Sequence, residues 1–373
     1  MIDACYTARM PWLADVGIAI LTGYIALTGA LAESIERTFL AGEVEPTPLE
    51  TPATSTPAGF ASLPSAFSDL RIPDILRESA AYQQAAVAGA STVHSTTRDP
   101  LEAIVNIYCT YTTDDYIRTT TGTGFFVHAD GVIMTNAHIA QFLLLEETTE
   151  LGETVCRIRT GDPALARYRA ELLYLPPAWL TEHAALIDAK TPMGTGERDY
   201  ALLYVSEAVD ASTLPERFPS LRISTELLPR SLAGETVTAA GYPADSLRGD
   251  SGAALSPVAA TTRVSELYTF GSNYADVFSI TGSPVGAQGS SGGPVVNNEG
   301  AVICMIATRG DDAVDGPGSL RAITVSHIHR TILEETGFSL RQTISGDIDR
   351  RGRVFRETLA PYLLTLLQNE LQS

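Results

Sequence analysis

Gln288-Gly289-Ser290-Ser291-Gly292-Gly293-Pro294 sets a pair of serines among glycines and runs out through a proline into Val295 and Val296. A serine hydroxyl is almost wholly protonated at neutral pH. It becomes a nucleophile only with a base in hydrogen-bond reach and with donors waiting for the oxyanion that forms. The glycines let the backbone curl so that the N–H groups of Gly289 and Ser291 point at one spot, and they leave room for a substrate carbonyl. Gly-Ser stretches are also common in linkers, so the meaning of this one depends on whether a base and an acid exist elsewhere in the chain. Residues 294–296 read as a strand, which means that the serine loop feeds a sheet and not a helix.

The base lies upstream. In Gly122-Thr123-Gly124-Phe125-Phe126-Val127-His128-Ala129-Asp130-Gly131-Val132-Ile133-Met134-Thr135-Asn136-Ala137-His138, two apolar runs are separated by Asp130 and Gly131 and read as a hairpin. His138 then stands just past the end of the second strand, whereas His128 lies in the turn, His183 in a helix-like stretch, and His327 and His329 beside the last strand. Asp199 is the acid candidate, ahead of Asp188, Glu197 and Asp210. It is followed at once by a buried-looking strand, 200–205, which would hold its carboxylate fixed toward an imidazole. The order along the chain is His138, Asp199, Ser291.

These three motifs, TNAH, RDYALL and GSSGGP, resemble those of the chymotrypsin-like serine proteases, in the bacterial trypsin-like branch that includes the HtrA and V8-type enzymes. The resemblance covers about residues 101–335 and implies an all-β fold of two antiparallel β-barrels with the site between them. It implies a serine endopeptidase acting on polypeptides through His138, Asp199 and Ser291, with the N–H groups of Gly289 and Ser291 as oxyanion hole. Ser291, directly before Gly292-Gly293-Pro294, matches the family's nucleophile; its neighbour Ser290 departs from the Asp or Asn common there, so activation by insertion of a new N-terminus has no counterpart. The resemblance also places Val285 and Gly286 on one wall of the pocket for the side chain before the scissile bond, and Ala307, Thr308 and Arg309 on the other. No acidic residue stands at these positions, which predicts a preference for apolar side chains of small or medium size unless Arg309 or Arg321 turns inward. An extended substrate would pair with the strand edge at Ile306, Ala307 and Thr308.

Strand candidates at 104–111, 125–127, 132–135, 155–159, 171–175, 200–205, 236–240, 261–267, 274–281, 294–296, 301–307 and 320–325, with Gly, Pro and Asp turns between them, independently indicate a barrel or sandwich. The 373 residues, 45% hydrophobic, are ample for a two-lobed domain with extensions. A net charge of −19 from 44 acidic against 25 basic residues opposes a nucleic-acid partner. Four cysteines show no short-range pairing of the kind a zinc site needs, and nothing calls for a metal or other cofactor. Cys109 lies on the inward face of its strand and Cys156 shares a face with Ile158, so a bridge between them is expected if the domain is exported, with Cys304 buried and free.

Residues 1–32 contain an uncharged apolar run, 16–32, which reads as a single-pass transmembrane anchor; Ala30-Leu31-Ala32 before Glu33 allows a cleaved signal instead. Either reading puts the protease domain outside the cytoplasm, membrane-tethered or secreted. Residues 33–100 form a linker rich in Pro, Thr, Ser and Ala, with a short helix in 72–90. Residues 326–335 read as a helix closing the domain, and the tail, 336–373, as helical with a docking helix over 359–371. The oligomeric state is not legible. Two other readings stay open. One is a protease-like binding module without catalysis. The other is an α/β-hydrolase esterase, since Gly289 to Gly293 also fits GxSxG with Asp311 and His327 as partners, although the strand after Pro294 opposes the helix such an elbow requires.

Overall fold

The computed structural model describes residues 76–77, 79–87, 95–114, 116–188, 196–244, 254–271, 274–310 and 318–371. The apolar run at 16–32, the proline-rich segment at 43–64 and Asp311 lie outside them. Among the described residues no helix is long and apolar enough to cross a membrane.

Thirteen strands are described: β1 Ile104–Thr112, β2 Ile117–His128, β3 Val132–Thr135, β4 Glu153–Thr160, β5 Leu165–Tyr174, β6 Ala201–Ala208, β7 Arg222–Ile223, β8 Thr236–Gly241, β9 Val258–Tyr268, β10 Val277–Ile280, β11 Pro294–Val296, β12 Ala301–Arg309 and β13 Leu320–Thr324. The first six close into an antiparallel barrel in the order β1-β2-β3-β6-β5-β4. In the second half the order is β11-β8-β9-β10-β13-β12, and the pairing of β11 with β12 closes this ring too. Strand β7 adds to the outside of β12 in parallel. Two six-stranded barrels therefore stand where the sequence resemblance placed them. Each closes a sheet on itself, and in the second β12 runs on to Arg309, past the end of its pairing with β11 at Met305.

The alternation that marks β1 as a strand is also what fills the first barrel. Val105, Ile107, Cys109 and Tyr111 are buried, and Tyr108 and Thr110 are half-buried. Cys109 lies opposite Cys156 in the β1–β4 register, and the two are joined by a disulfide; Cys304 is free and buried.

Helices sit at the ends and on the outside of the barrels: α1 Ala80–Val87, α2 Ala137–Leu145, α3 Pro177–His183, α4 Val325–Thr336, α5 Ile348–Thr358 and α6 Ala360–Leu371. Helix α4 is the expected closing helix. The Thr324 hydroxyl accepts from the His327 N–H at its start, and Gly337 ends it with φ +79°, the left-handed conformation that glycine adopts without strain. Helix α6 is the expected docking helix and buries Ala360, Leu363 and Leu367, one face at helical spacing. Helix α5 lies in the tail read as helical, ahead of the docking helix, and crosses the first barrel over Tyr204. At Gly352 it comes so close that a Cβ would lie 2.4 Å from the tyrosine ring.

Candidate active site

The hairpin β2–β3 delivers Asn136 to the start of α2, and this puts His138 in the first turn of a helix. The first backbone N–H groups of a helix have no partner within it and favour negative charge. Asp199 supplies both. Its Oδ1 accepts the His138 backbone N–H at 3.0 Å, and its Oδ2 lies 2.8 Å from His138 Nδ1. The Asn136 amide, turned away from a capping role, donates to the Asp199 carbonyl at 2.8 Å. Both side chains are largely shielded, at 13% exposure for His138 and 9% for Asp199. A carboxylate held at two points against one histidine leaves the ring little freedom to rotate.

Asp199 is itself held in tight turns. Its N–H donates to Gly196 O at 3.2 Å, and the Tyr200 N–H donates to Arg198 O at 2.8 Å. Arg198 has φ +54°, one of two described non-glycine residues in the left-handed region.

Ser291 comes from the second barrel, at the entry to β11, and Thr123 of the first barrel grips its loop. The Thr123 N–H donates to Ser291 O at 2.8 Å, and the Thr123 hydroxyl donates to Gly289 O at 2.7 Å while accepting from the Tyr242 N–H at 2.9 Å. Thr135, three residues before His138, in turn donates its hydroxyl to Thr123 O at 2.7 Å. A Cβ on Gly292 would lie 1.9 Å from Thr123 O and 2.6 Å from Thr135 Oγ1, so only glycine allows this approach of the serine loop to the strand that carries the histidine. Among the described residues no hydrogen bond joins Ser291 to His138.

The loop before Ser291 is a β-turn closed by the Ser290 N–H on Ala287 O at 3.3 Å, with Gly289 at its third position and φ +98°, as a type II turn requires. The Gln288 carbonyl accepts the Ala244 N–H at 2.7 Å. Because C=O and N–H point in opposite directions across a trans peptide, this bond turns the Gly289 N–H away from Ala244. Ser290 is buried, and its hydroxyl has no partner among the described residues.

Of the expected pocket residues, Val285 is fully buried and packs in the core of the second barrel, while Gly286 is half-buried. A Cβ on Gly286 would lie 2.5 Å from Gly318 O. Ile306 and Ala307 are buried, Thr308 is half-buried and Arg309 is exposed. The Arg321 guanidinium lies 5.2 Å from the centre of the Tyr268 ring. The Ile306 backbone bonds to the loop itself, accepting from Gly292 and donating to Gly293 O, each at 2.8 Å.

The other described histidines take other parts. His327 is buried beside Asp276 at 3.3 Å, and burial pushes its pKa down to about 4. His329 accepts the Leu340 N–H, His183 stacks on Trp179, and His128 accepts the Asp130 N–H in its turn. The esterase alternative fails here, because the serine loop enters strand β11 where a nucleophile elbow enters a helix, and His327 is committed to Asp276.

Thr123, Thr135 and Asn136 were not singled out in the sequence. Their only signal is position, Thr123 between two glycines and the other two within TNAH, and strand periodicity does not say that a hydroxyl faces the neighbouring barrel. Thr123→Val keeps the shape but strands the Tyr242 N–H and loses the bond to Gly289 O. Both are buried, so urea unfolding is expected to show a loss of about 1–3 kcal/mol, where an unchanged midpoint would count against this link between the barrels.

Two barrels with a serine loop from one facing a histidine–aspartate pair from the other constitute the chymotrypsin-like architecture. Residues 122–305 match the trypsin-like peptidase domain, and the protein is a chymotrypsin-like serine endopeptidase. Solved structures similar to it include the Rv3671c protease from M. tuberculosis in its active form, 18% identical, with 81% of this chain and 100% of that one covered and a TM-score of 0.39. Another is Deg5, 17% identical, with 62% of this chain and 89% of that one covered and a TM-score of 0.40. No curated protein matches the chain.

Proposed function

We propose that Ser291, His138 and Asp199 are the catalytic triad of this endopeptidase. The two-point hold of Asp199 on His138 carries the reading. With Oδ2 accepting from Nδ1, the ring keeps its proton there and presents a bare Nε2, the only nitrogen then able to take a proton from serine. Ser291 Oγ attacks the peptide carbonyl, His138 takes its proton and returns it to the leaving amine, and water repeats the sequence on the acyl-enzyme. A loose serine–histidine contact before substrate arrives is compatible with this, since such bonds tighten in the complex. The N–H groups of Gly289 and Ser291 receive the oxyanion, worth about 2.7–4 kcal/mol per donor.

The substrate lies extended along β12 at Ile306, Ala307 and Thr308, with the side chain before the scissile bond between Val285 and Gly286 on one side and Ala307 and Thr308 on the other. These walls carry no acidic group and little bulk, which favours small or medium apolar side chains. A peptide library digested with the full chain and sequenced at the new termini is expected to show cleavage after such residues. Cleavage mainly after Lys or Arg would refute the pocket, and no cleavage at all would refute the triad.

The apolar run at 16–32 is long enough to tether the enzyme to a membrane with its protease domain outside the cytoplasm. The protein is expected to stay with membranes through an alkaline carbonate wash and to be digested by protease added from outside. Soluble protein beginning at Glu33 would establish a cleaved signal instead.

A further inference from the structure

The acid of the triad is gripped from behind by the helix that closes the domain, outside the segment that matches the peptidase family. Arg198, the residue before Asp199, donates from Nε to Glu335 Oε1 at 3.0 Å, and Glu335 sits on α4 with 4% of its side chain exposed. The second oxygen of Glu335 accepts from the Tyr174 hydroxyl, which is fully buried on β5. The residue after Asp199 is tied to the same helix, through Tyr200 Oη and Thr331 Oγ1 at 2.7 Å. Glu197 and Glu334 also approach Arg198, at 3.4 and 3.8 Å, but Glu197 is only half-buried and Glu334 is well exposed, and pairs open to solvent contribute little. The buried carboxylate is different, because it is desolvated and has a fixed geometry.

What this grip holds is a backbone conformation. Arg198 has φ +54°, in the region that favours glycine, and the carbonyl it thereby directs accepts the Tyr200 N–H and closes the turn around Asp199. Nothing in an arginine side chain prefers this conformation. A partner that fixes its guanidinium does.

We propose that Glu335 is a positioning residue for catalysis: through Arg198 it holds the turn that aims Asp199 at His138, so that α4, leaving the second barrel, sets the acid carried by the first. Without Glu335 the Arg198 backbone relaxes toward negative φ, the 198–199 peptide rotates, and Oδ2 swings off Nδ1. The proposal rests on Asp199 being the triad's acid, and its test separates the two claims.

In the full chain, Glu335→Ala is expected to lower kcat about tenfold with KM within about twofold, because a small misalignment of the triad costs turnover and not binding. Glu335→Gln, whose amide oxygen still accepts from Arg198 while its NH₂ donates to the Tyr174 hydroxyl oxygen, is expected to restore most of the loss. The proton on His138 Nδ1, followed as a downfield NMR resonance, is expected to broaden or shift in Glu335→Ala and to return in Glu335→Gln. If Glu335→Ala does not fold, Arg198→Ala, a change at a side chain 24% exposed, carries the same expectations. A folded Glu335→Ala or Arg198→Ala enzyme with wild-type kcat and an unmoved resonance would overturn the proposal. A wild-type resonance indifferent to Asp199→Asn would instead overturn the assignment of the acid, and the positioning role with it.

Discussion

Ser291→Ala is expected to remain folded, with an unfolding midpoint close to that of the wild type, and to lose peptide turnover by a factor on the order of 10⁶. The stability half of this follows from how the loop is held. Its grip comes from backbone and from Thr123: Thr123 N–H on Ser291 O, Thr123 Oγ1 on Gly289 O, and the Gly292 and Gly293 bonds to Ile306. None of these uses the Ser291 hydroxyl. Removing one half-exposed oxygen from such a turn falls among substitutions that change stability by no more than about 0.5 kcal/mol. The activity half follows from chemistry. Without Oγ there is no acyl-enzyme, and the oxyanion donors and binding groups support only the residual catalysis that they give to water. His138→Ala is expected to lose about as much, since nucleophile and base act as one unit and their removal is not additive. Steady-state rates on a peptide cleaved by the wild type, together with circular dichroism of each variant, check both halves.

Asp199→Asn is expected to fold and to lose about 10⁴ in kcat. The size of this effect can be argued from the two bonds that the carboxylate makes. Oδ1 accepts the His138 backbone N–H and Oδ2 accepts from the ring. An asparagine has only one oxygen. If its NH₂ faced the backbone N–H, two donors would meet at the buried start of α2. The amide therefore keeps its oxygen on the backbone and turns its NH₂ to the ring, where it needs an acceptor. His138 answers by moving its proton from Nδ1 to Nε2, the nitrogen that has to be bare to receive the serine proton. The fold survives because both contacts are satisfied, and turnover fails because the tautomer is wrong. Retention of more than a tenth of wild-type kcat by a folded Asp199→Asn enzyme would contradict this geometry.

The residues that these predictions use each carry a local signature in the sequence. Ser291 lies among glycines, His138 follows a hairpin, and Asp199 precedes an apolar strand. Barrel strands were legible for the same reason, since alternation of buried and exposed side chains is a local property of β1 or β4. Helix α2 was not. Every residue from Ile139 to Leu145 is buried, so it lacks the polar face by which a helix announces itself, and its apolar run carries no period. Strand β7 has two residues and owes its existence to β12 beside it. The bounds of helix α5 within the helical tail were obscured by its arginines, of which Arg351 is fully buried and donates to Gln342 O and Thr343 O at the end of the preceding helical turn. The contacts that tune the site are further out of reach. Thr123 meets Gly289 across 166 positions and Arg198 meets Glu335 across 137. Nothing in the spelling of either residue names its partner, which is supplied by closure of the barrels and by the return of α4.

The central claim, that Ser291 is a nucleophile activated by His138 and Asp199, is met most directly by covalent labelling. The full-length enzyme is treated with an active-site-directed fluorophosphonate, its intact mass is measured, and the modified peptide is sequenced. One adduct per chain is predicted, on Ser291 and not on Ser290, absent from His138→Ala and Ser291→Ala. An adduct on another residue, or a preparation that cleaves peptides while Ser291 stays unmodified, would contradict the account.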